Sequence, residues 1–179
     1  MLKALGVSLT WPLLPAAEAA TDDPKTMRPQ IGDRLVFMAG DKKEQMVKPE
    51  DLALGGPQQL FYPMDPGSKT IRDGSGTNLV MLIRFDPADL NEEMTKIAAE
   101  GVIAYSGMCT HQGCPVSMWK ADTKVLYCSC HGSEYDPRDR AKVVGGPAPK
   151  RLANLPIKLE DGYITVAGEF TGKVGFKPE

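Results

Sequence analysis

The sequence of 179 residues has little of the features that mark several other classes of protein. Its 21 basic and 23 acidic side chains leave a formal net charge of −2, and the basic residues form no run. Because a nucleic-acid-binding surface needs a field of positive charge, no nucleic-acid partner is predicted. Cysteine is also scarce, since four residues are too few for a disulfide scaffold.

A hydrophobic run long enough to span a membrane is missing at the N-terminus. The uncharged stretch Ala4–Ala17 has fourteen residues, whereas a membrane-spanning helix needs about 20. We interpret residues 1–20 as an export signal cleaved near Ala19 or Ala20, with an N-terminal anchor as the alternative. Met1-Leu2-Lys3 resembles the end of a twin-arginine signal. This predicts export in the folded state to the periplasm or the outer face of the cytoplasmic membrane.

Glycine and proline, by contrast, are abundant, with 18 and 15 residues. Both interrupt helices and build turns, so an all-β fold is predicted. Short apolar runs separated by turn residues predict seven strands: Arg34–Met38, Leu60–Tyr62, Leu79–Phe85, Val102–Tyr105, Val125–Cys128, Pro156–Leu159 and Tyr163–Ala167. One short helix is expected between an N-cap at Asp89 and Gly101, with tight turns at 73–76 and 160–162.

The cysteines and histidines are placed together. All four Cys and both His lie in the 23 residues from Cys109 to His131. Independent scattering would produce this with a probability on the order of a few in a million, so a metal or redox site is the working hypothesis. The first cluster, ending at Cys114, reads C-T-H-Q-G-C; the second, from Cys128 to Ser133, reads C-S-C-H-G-S.

Each cluster supplies one Cys–His pair and one further cysteine. The four candidate ligands are Cys109, His111, Cys128 and His131. A structural zinc ion would accept this Cys₂His₂ set, but the other two cysteines would have no role. A 2Fe-2S cluster held by two Cys on one iron and two His on the other uses the same four residues. The remaining cysteines, on different loops, could then close a disulfide that an oxidising compartment preserves.

The two motifs, C-x-H-x-G-C and C-x-C-H-G-S, resemble those of Rieske iron-sulfur proteins, and the resemblance covers Val102–Ala167. It implies an antiparallel Rieske-type sandwich with a small cluster-binding subdomain inserted and one short helix. The predicted base domain comprises residues 30–105 and 145–179, and the cluster-binding subdomain comprises residues 106–144. Residues 21–29 form a leader.

The resemblance also assigns roles to individual residues. Cys109 and Cys128 would ligate the inner iron, and His111 and His131 the outer iron of one 2Fe-2S cluster per chain. The disulfide would join Cys114 and Cys130. The residues expected around the cluster are Gly132, which gives the backbone room, Ser133 and Tyr135, which donate hydrogen bonds to sulfur, and Gly146, Pro147 and Pro149 in a shielding loop.

Mixed ligation has a physical consequence for the electron. Two ferric ions, two sulfides and two thiolates make a neutral cluster, which accepts an electron more readily than an all-thiolate cluster does. The midpoint potential is therefore expected towards the upper part of the family range of roughly −150 to +300 mV. The histidine-bound iron takes the electron, so the electron enters and leaves through the imidazoles of His111 and His131. Reduction is expected to be coupled to imidazole protonation, so the midpoint potential falls as pH rises.

The predicted function is one-electron transfer by a subunit of a periplasmic or respiratory oxidoreductase towards a c-type cytochrome, not catalysis by the chain on its own. An oxygenase would need two further histidines for a mononuclear iron, and the sequence has none. The alternatives are a small subunit of an arsenite-oxidase-like molybdenum enzyme and a structural zinc domain. Partners would be a c-type cytochrome, a cytochrome b–quinol complex or a molybdenum subunit, with membrane contact only through a larger complex.

Two features bear on the choice of partner. Gln112 stands where quinol–cytochrome c reductase members usually carry an apolar residue, and the short signal with the run C-T-H-Q-G-C-P-V-S is typical of the molybdenum-enzyme subunits. Gly132 and Tyr135, in contrast, are typical of the quinol-oxidising type. The sequence leaves both partners open.

Overall fold

The chain forms ten β-strands in the computed structural model, which describes residues 23–176. In chain order they are β1 (Arg34–Phe37), β2 (Gln59–Met64), β3 (Val80–Arg84), β4 (Val102–Ser106), β5 (Met118–Lys120), β6 (Val125–Cys128), β7 (Ser133–Asp136), β8 (Lys142–Gly145), β9 (Ile157–Glu160) and β10 (Tyr163–Val166). A six-stranded sheet has the order β4-β3-β2-β1-β10-β9, and a four-stranded sheet has the order β5-β6-β7-β8. All of these pairings are antiparallel, as predicted.

The β3–β4 pair positions the small sheet. Both strands are almost entirely apolar and buried on both faces, and successive side chains point to opposite faces of a strand. Val80 and Leu82 therefore belong to the core inside the large sheet. Met81 and Ile83 belong to a second core, which also contains residues of the small sheet. One face of β3–β4 thus forms the floor beneath the cysteine-bearing loops.

The seven predicted strands are all present, with ends that differ by at most two residues. The three strands that the sequence did not predict are β5, β7 and β8, and all lie in the small sheet. They carry polar or half-exposed residues and show no continuous apolar run. Their strand conformation comes from pairing with β6 or β7 and not from local propensity.

The predicted helix is shorter than expected and begins later. It spans Glu92–Ile97, and its N-cap is Asn91, whose side chain accepts a hydrogen bond from the Met94 N–H at 2.9 Å. The prediction of Asp89 as the N-cap is wrong. Asp89 ends a separate 3₁₀ turn, because Asp86 caps the Ala88 N–H and Pro87 favours the first position of such a turn.

The two predicted turns have different outcomes. Asp161 and Gly162, with φ of 53° and 80°, form a two-residue turn between β9 and β10, as expected. The segment 73–76 is not a hairpin turn, since it leads into a 3₁₀ turn at Gly76–Asn78 within the long β2–β3 connection. That connection closes earlier, where Met64 bridges Ile71.

The predicted export signal, residues 1–20, and the start of the leader lie outside the described residues. Within residues 23–176, the structure has no helix with the length and apolar character needed to cross a bilayer.

Candidate metal centre

Two loops of the same construction carry the candidate ligands. The first follows β4 and begins at Cys109; the second follows β6 and begins at Cys128. In each loop the glycine four residues later, Gly113 or Gly132, donates its N–H to the cysteine carbonyl at 3.0 Å. The φ values of these glycines are 75° and 78°, which a side chain disfavours. The glycine in each motif is therefore needed to close its loop.

A disulfide between Cys114 and Cys130 joins the two loops, with the Cα atoms 6.6 Å apart. It connects the cysteines that the resemblance paired. The Cys128 sulfur lies close by, because the sulfur atoms of Cys114, Cys128 and Cys130 are all within 4.8 Å of one another. Cys109 and Cys128 are free thiols. The cross-link thus leaves one free cysteine in each loop.

The four predicted ligands lie along a gradient from the core to the solvent. Cys109 and Cys128 are 2% and 1% exposed, His111 is half-buried and His131 is exposed. The two imidazole rings are 4.7 Å apart between centroids and nearly perpendicular. The arrangement places sulfur on the inner side and nitrogen on the outer side, in the order that the resemblance implied.

Tyr135 contacts the candidate ligand Cys109. Its hydroxyl is fully buried and lies 3.2 Å from the Cys109 sulfur. The Thr110 N–H donates to the same hydroxyl oxygen at 3.2 Å. Burial, together with the hydrogen bond to Cys109, raises the pKa of Tyr135. The phenol therefore keeps its proton and can donate it to sulfur.

The two free thiols differ in acidity. Burial alone would raise the pKa of Cys109. Hydrogen bonds from the Tyr135 hydroxyl and from the backbone N–H of His111, with a contribution from the Ser133 hydroxyl, lower this pKa below its ordinary value. Burial raises the pKa of Cys128. Cys109 is therefore the position better prepared to carry negative charge, as a thiolate ligand must.

Two buried polar atoms at the site have no hydrogen bond of normal geometry within the described part of the chain. They are His111 Nδ1 and Ser133 Oγ. Unpaired buried polar atoms are costly, and a bound ion, a bound water or a redox role is among the explanations for them. A neutral imidazole nitrogen can ligate iron, and a hydroxyl can donate to sulfide or thiolate. The donor set and these unpaired atoms fit a 2Fe-2S cluster with mixed ligands.

A third loop rests directly on the second cluster loop. At Gly146 (φ 76°), a Cβ atom would lie 2.3 Å from the Gly132 carbonyl oxygen and 2.6 Å from Ser133 Cα. The other end of the loop is held by Thr110, whose Oγ1 donates to the Lys150 carbonyl at 2.6 Å. No signal in the sequence indicated this role of Thr110, because it occupies a variable position of the motif.

The shielding loop and Gly132 differ in detail from expectation. Pro147 and Pro149 are exposed, and the residue that turns inward is Ala148, which is 8% exposed. If a Cβ were added at Gly132, the nearest protein atom would be the Tyr127 hydroxyl oxygen, 3.8 Å away. The positive φ of Gly132, and not a lack of space for a side chain among the protein atoms, therefore explains why glycine suits this position.

Comparisons with known proteins agree with this site. A family model described as the Rieske [2Fe-2S] domain matches residues 69–156. The chain is 33% identical over 135 residues to a protein of Streptomyces lividans named as the cytochrome bc1 complex Rieske iron-sulfur subunit, covering 72% of this chain and 78% of that protein.

A Mycobacterium tuberculosis protein of the same name is 33% identical over 151 residues, and there the match covers 72% of this chain and only 34% of the longer relative. Among solved structures, one titled hyperthermophilic respiratory Complex III is 25% identical with a TM-score of 0.43, covering 66% of this chain and 70% of that one. The chain belongs to the Rieske iron-sulfur family, and it transfers electrons one at a time through a Rieske 2Fe-2S cluster.

Proposed function

We propose that this chain is the Rieske subunit of a cytochrome bc1-type complex, passing single electrons from a quinol towards a c-type cytochrome at the outer face of the cytoplasmic membrane. The names of the curated relatives support this proposal. The observation that carries it is the gradient at the site, with two buried thiols behind two imidazoles and His131 at the surface. Cytochrome b and a c-type cytochrome would be its partners.

Cys109, His111, Cys128 and His131 would hold the cluster in the proposed ligand set, with the cysteines on the inner iron. When bound, the cluster supplies a one-electron acceptor whose added charge lies at the histidine-bound iron. His131, being exposed, would contact the quinol and accept its hydrogen bond. The disulfide and the third loop would keep water away from the inner side. We further propose that residues 106–144 form the cluster-binding subdomain and residues 30–105 and 145–179 the base.

The loops of the site carry basic residues and no acidic ones. The segments 107–119, 125–133 and 143–159, which include the three loops of the site, contain no Asp or Glu, and the third segment contains Lys150, Arg151 and Lys158. Arg151 is exposed and Lys150 is half-buried. Acidic residues on a partner would therefore be attracted to this side of the interface.

The molybdenum-enzyme alternative is not favoured, because the curated relatives are subunits of cytochrome bc1 complexes. The structural zinc alternative is set aside by membership of the Rieske family.

The proposed ligand set is tested by electron paramagnetic resonance of the ascorbate-reduced protein, with assays of iron, zinc and labile sulfide on the same sample. We expect two irons and two sulfides per chain and hyperfine coupling to two imidazole nitrogens. The variant His131→Cys should lose the coupling of one nitrogen. Zinc without labile sulfide, or coupling to fewer than two nitrogens in the unmodified protein, would contradict the proposal.

The proposed partners are tested by purifying the tagged chain from detergent-solubilised membranes of its source. We expect co-purification of b-type and c-type haem, seen in reduced-minus-oxidised spectra, and quinol-dependent cytochrome c reduction by the purified complex. A molybdenum-containing partner in place of the haem proteins would favour the alternative.

A further inference from the structure

A free thiol lies against the disulfide of the site. The sulfur of Cys128 and the two bridge sulfurs, those of Cys114 and Cys130, are all within 4.8 Å of one another. Cys109, the other free cysteine, is not part of this group. Disulfide exchange requires the attacking thiol to lose its proton and to reach a disulfide sulfur, and no external oxidant takes part. A small movement of one side chain would therefore bring Cys128 into reaction distance.

Binding of iron to Cys128 would prevent its sulfur from attacking the disulfide. In the proposed ligand set, on which this inference rests, the Cys128 sulfur is bound to iron and cannot attack the bridge. We propose that, when iron is absent, Cys128 displaces Cys130 from the disulfide and forms a new bond to Cys114. The site is then a thiol–disulfide exchange centre that the cluster keeps inactive.

The exchange is balanced within the chain. Cys128 loses its proton, and its sulfur forms a bond to the Cys114 sulfur while the Cys114–Cys130 bond breaks. Cys130 leaves as a thiolate and takes up a proton from solvent, so the number of disulfides is unchanged. Cys130 is the expected leaving group because it is exposed, whereas Cys114 is half-buried. Water stabilises the departing charge better at the exposed position.

The product cannot hold the cluster, since the proposed ligand Cys128 is locked in a disulfide. Iron loss would therefore become irreversible until a reductant opens the new bond. It follows that iron must reach Cys128 before the bridge closes. This order requires cluster assembly in a reducing compartment, before the chain meets the oxidising side where disulfides persist.

Two matched variants test the proposal. Cys109→Ser and Cys128→Ser each remove one proposed cysteine ligand, but only the first keeps the nucleophile. Each variant is incubated anaerobically, quenched with acid, alkylated with N-ethylmaleimide and mapped by mass spectrometry of its peptides. In Cys109→Ser we expect a Cys114–Cys128 disulfide and label on Cys130. In Cys128→Ser we expect the original Cys114–Cys130 bridge and label on Cys109 alone.

The unmodified holoprotein supplies the second arm. Its iron is removed anaerobically with ascorbate and a ferrous chelator, and disulfides are mapped before and after. We expect a Cys114–Cys130 bond before removal and a Cys114–Cys128 bond afterwards; a Cys128–Cys130 bond would contradict the proposal, because Cys114 and not Cys130 would have left. An unchanged Cys114–Cys130 bridge, with Cys128 alkylated after iron loss and in Cys109→Ser, would overturn the proposal.

The two arms separate this inference from the ligand set. If Cys109→Ser is purified with a full cluster, the ligand set is wrong, while the iron-stripped holoprotein still reports on the exchange. Released sulfide could attack the bridge in the holoprotein arm. A cluster-free variant releases none, so exchange in Cys109→Ser alone identifies Cys128 as the nucleophile.

Discussion

Tyr135 illustrates how one side chain can influence a redox centre from outside the ligand set. Its buried hydroxyl has one proton, and the Cys109 sulfur lies 3.2 Å from its oxygen. The Thr110 N–H donates to the same oxygen, which polarises the phenol and strengthens it as a donor. A hydrogen bond to a ligand sulfur withdraws electron density and favours the reduced cluster.

The variant Tyr135→Phe should therefore lower the midpoint potential without altering the fold. If this hydrogen bond stabilises the reduced cluster by about 1 kcal/mol more than the oxidised cluster, its loss lowers the one-electron midpoint potential by about 40 mV. Protein-film voltammetry measures the shift. Tyr163→Phe, in β10 of the large sheet, is the control and should leave the potential unchanged. An unchanged potential in Tyr135→Phe would mean that its proton does not reach the sulfur.

Gly146 offers a sharper test of the third loop. A Cβ at this position would meet the Gly132 carbonyl oxygen at 2.3 Å, whereas at Gly162, which has a similar φ of 80°, it would meet nothing within 4 Å. Gly162→Ala should therefore cost only backbone strain, about 1 kcal/mol. Gly146→Ala adds a clash worth about 1–3 kcal/mol more and should move the loop away from the cluster.

The difference between the two glycine variants is measured by thermal unfolding and by the rate at which the visible absorbance of the cluster bleaches. We expect faster bleaching in Gly146→Ala alone. Equal bleaching rates in both variants would show that the third loop does not protect the cluster.

The sequence predicts that some residues belong to the site, but it does not predict the roles of others. The places of the cysteines, the histidines, Ser133 and Tyr135 at the site follow from fixed motif spacing. The roles of Thr110 and Ala148 do not, because each depends on contacts that form only when loops distant in sequence meet. Gly146 belongs to an expected loop, but its backbone contact with Gly132 is visible only in three dimensions.

At the scale of elements, a buried ion pair ties the leader to the large sheet. Arg72 donates to both oxygens of Asp33, at 2.6 and 3.0 Å, with both side chains at most 5% exposed. Arg72 also donates to the Pro24 carbonyl, and Asp33 accepts from the Gln30 N–H. The hydrogen bond that Arg72 donates to Asp33 raises the pKa of Arg72, so its charge persists. The pair joins the leader, the start of β1 and the β2–β3 connection.

Asp33→Asn should be strongly destabilising, because it leaves the Arg72 guanidinium buried without its counter-charge. Removing one partner of such a pair costs about 3–5 kcal/mol. Glu92→Gln is the control, since Glu92 and Lys96 are 86% and 69% exposed in their ion pair and such pairs contribute less than about 1 kcal/mol. Urea unfolding monitored by circular dichroism gives both values. Similar free energies of unfolding for the two variants would contradict a structural role for the buried pair.

Elements of the large sheet were predictable because its strands carry apolar runs that local patterning reveals. In the small sheet only β6 was predicted; β7 reads S-E-Y-D and β8 reads K-V-V-G. Their conformation follows from the pairing of β7 with β6 and of β8 with β7, and from burial of Tyr135 and Ala141 against the floor. The functional half of the fold is thus the half in which tertiary contacts outweigh propensity.

At the scale of the whole molecule, the two sheets share a core. The cluster of buried residues beneath the site includes Ile83 and Ile103 of the large sheet together with Leu126 and Cys128 of the small one. The hydroxyl of Tyr105 in β4 also donates to the Pro137 carbonyl, after β7, at 2.8 Å. The predicted boundary at residue 106 therefore separates strands of the two sheets but not two hydrophobic cores, because the predicted subdomain shares its core with the large sheet.

This shared core predicts how the protein responds to loss of iron. If the cluster-binding part were an independent unit, removing iron would melt it alone and leave a second transition at the original temperature. Because Cys109, Cys128 and Tyr135 pack in the same core as β3 and β4, we expect one calorimetric transition that moves down as a whole. A loss of about 3–4 kcal/mol would lower it by about 10 °C.

Hydrogen exchange distinguishes the two cases by location. In the iron-free protein, amides of β4 should exchange faster along with those of β6 and β7, because the floor loses the packing above it. Amides of β10, which faces the other core, should change least and serve as the internal reference. Two transitions, or faster exchange confined to residues 107–150, would show that the large sheet does not depend on the site it supports.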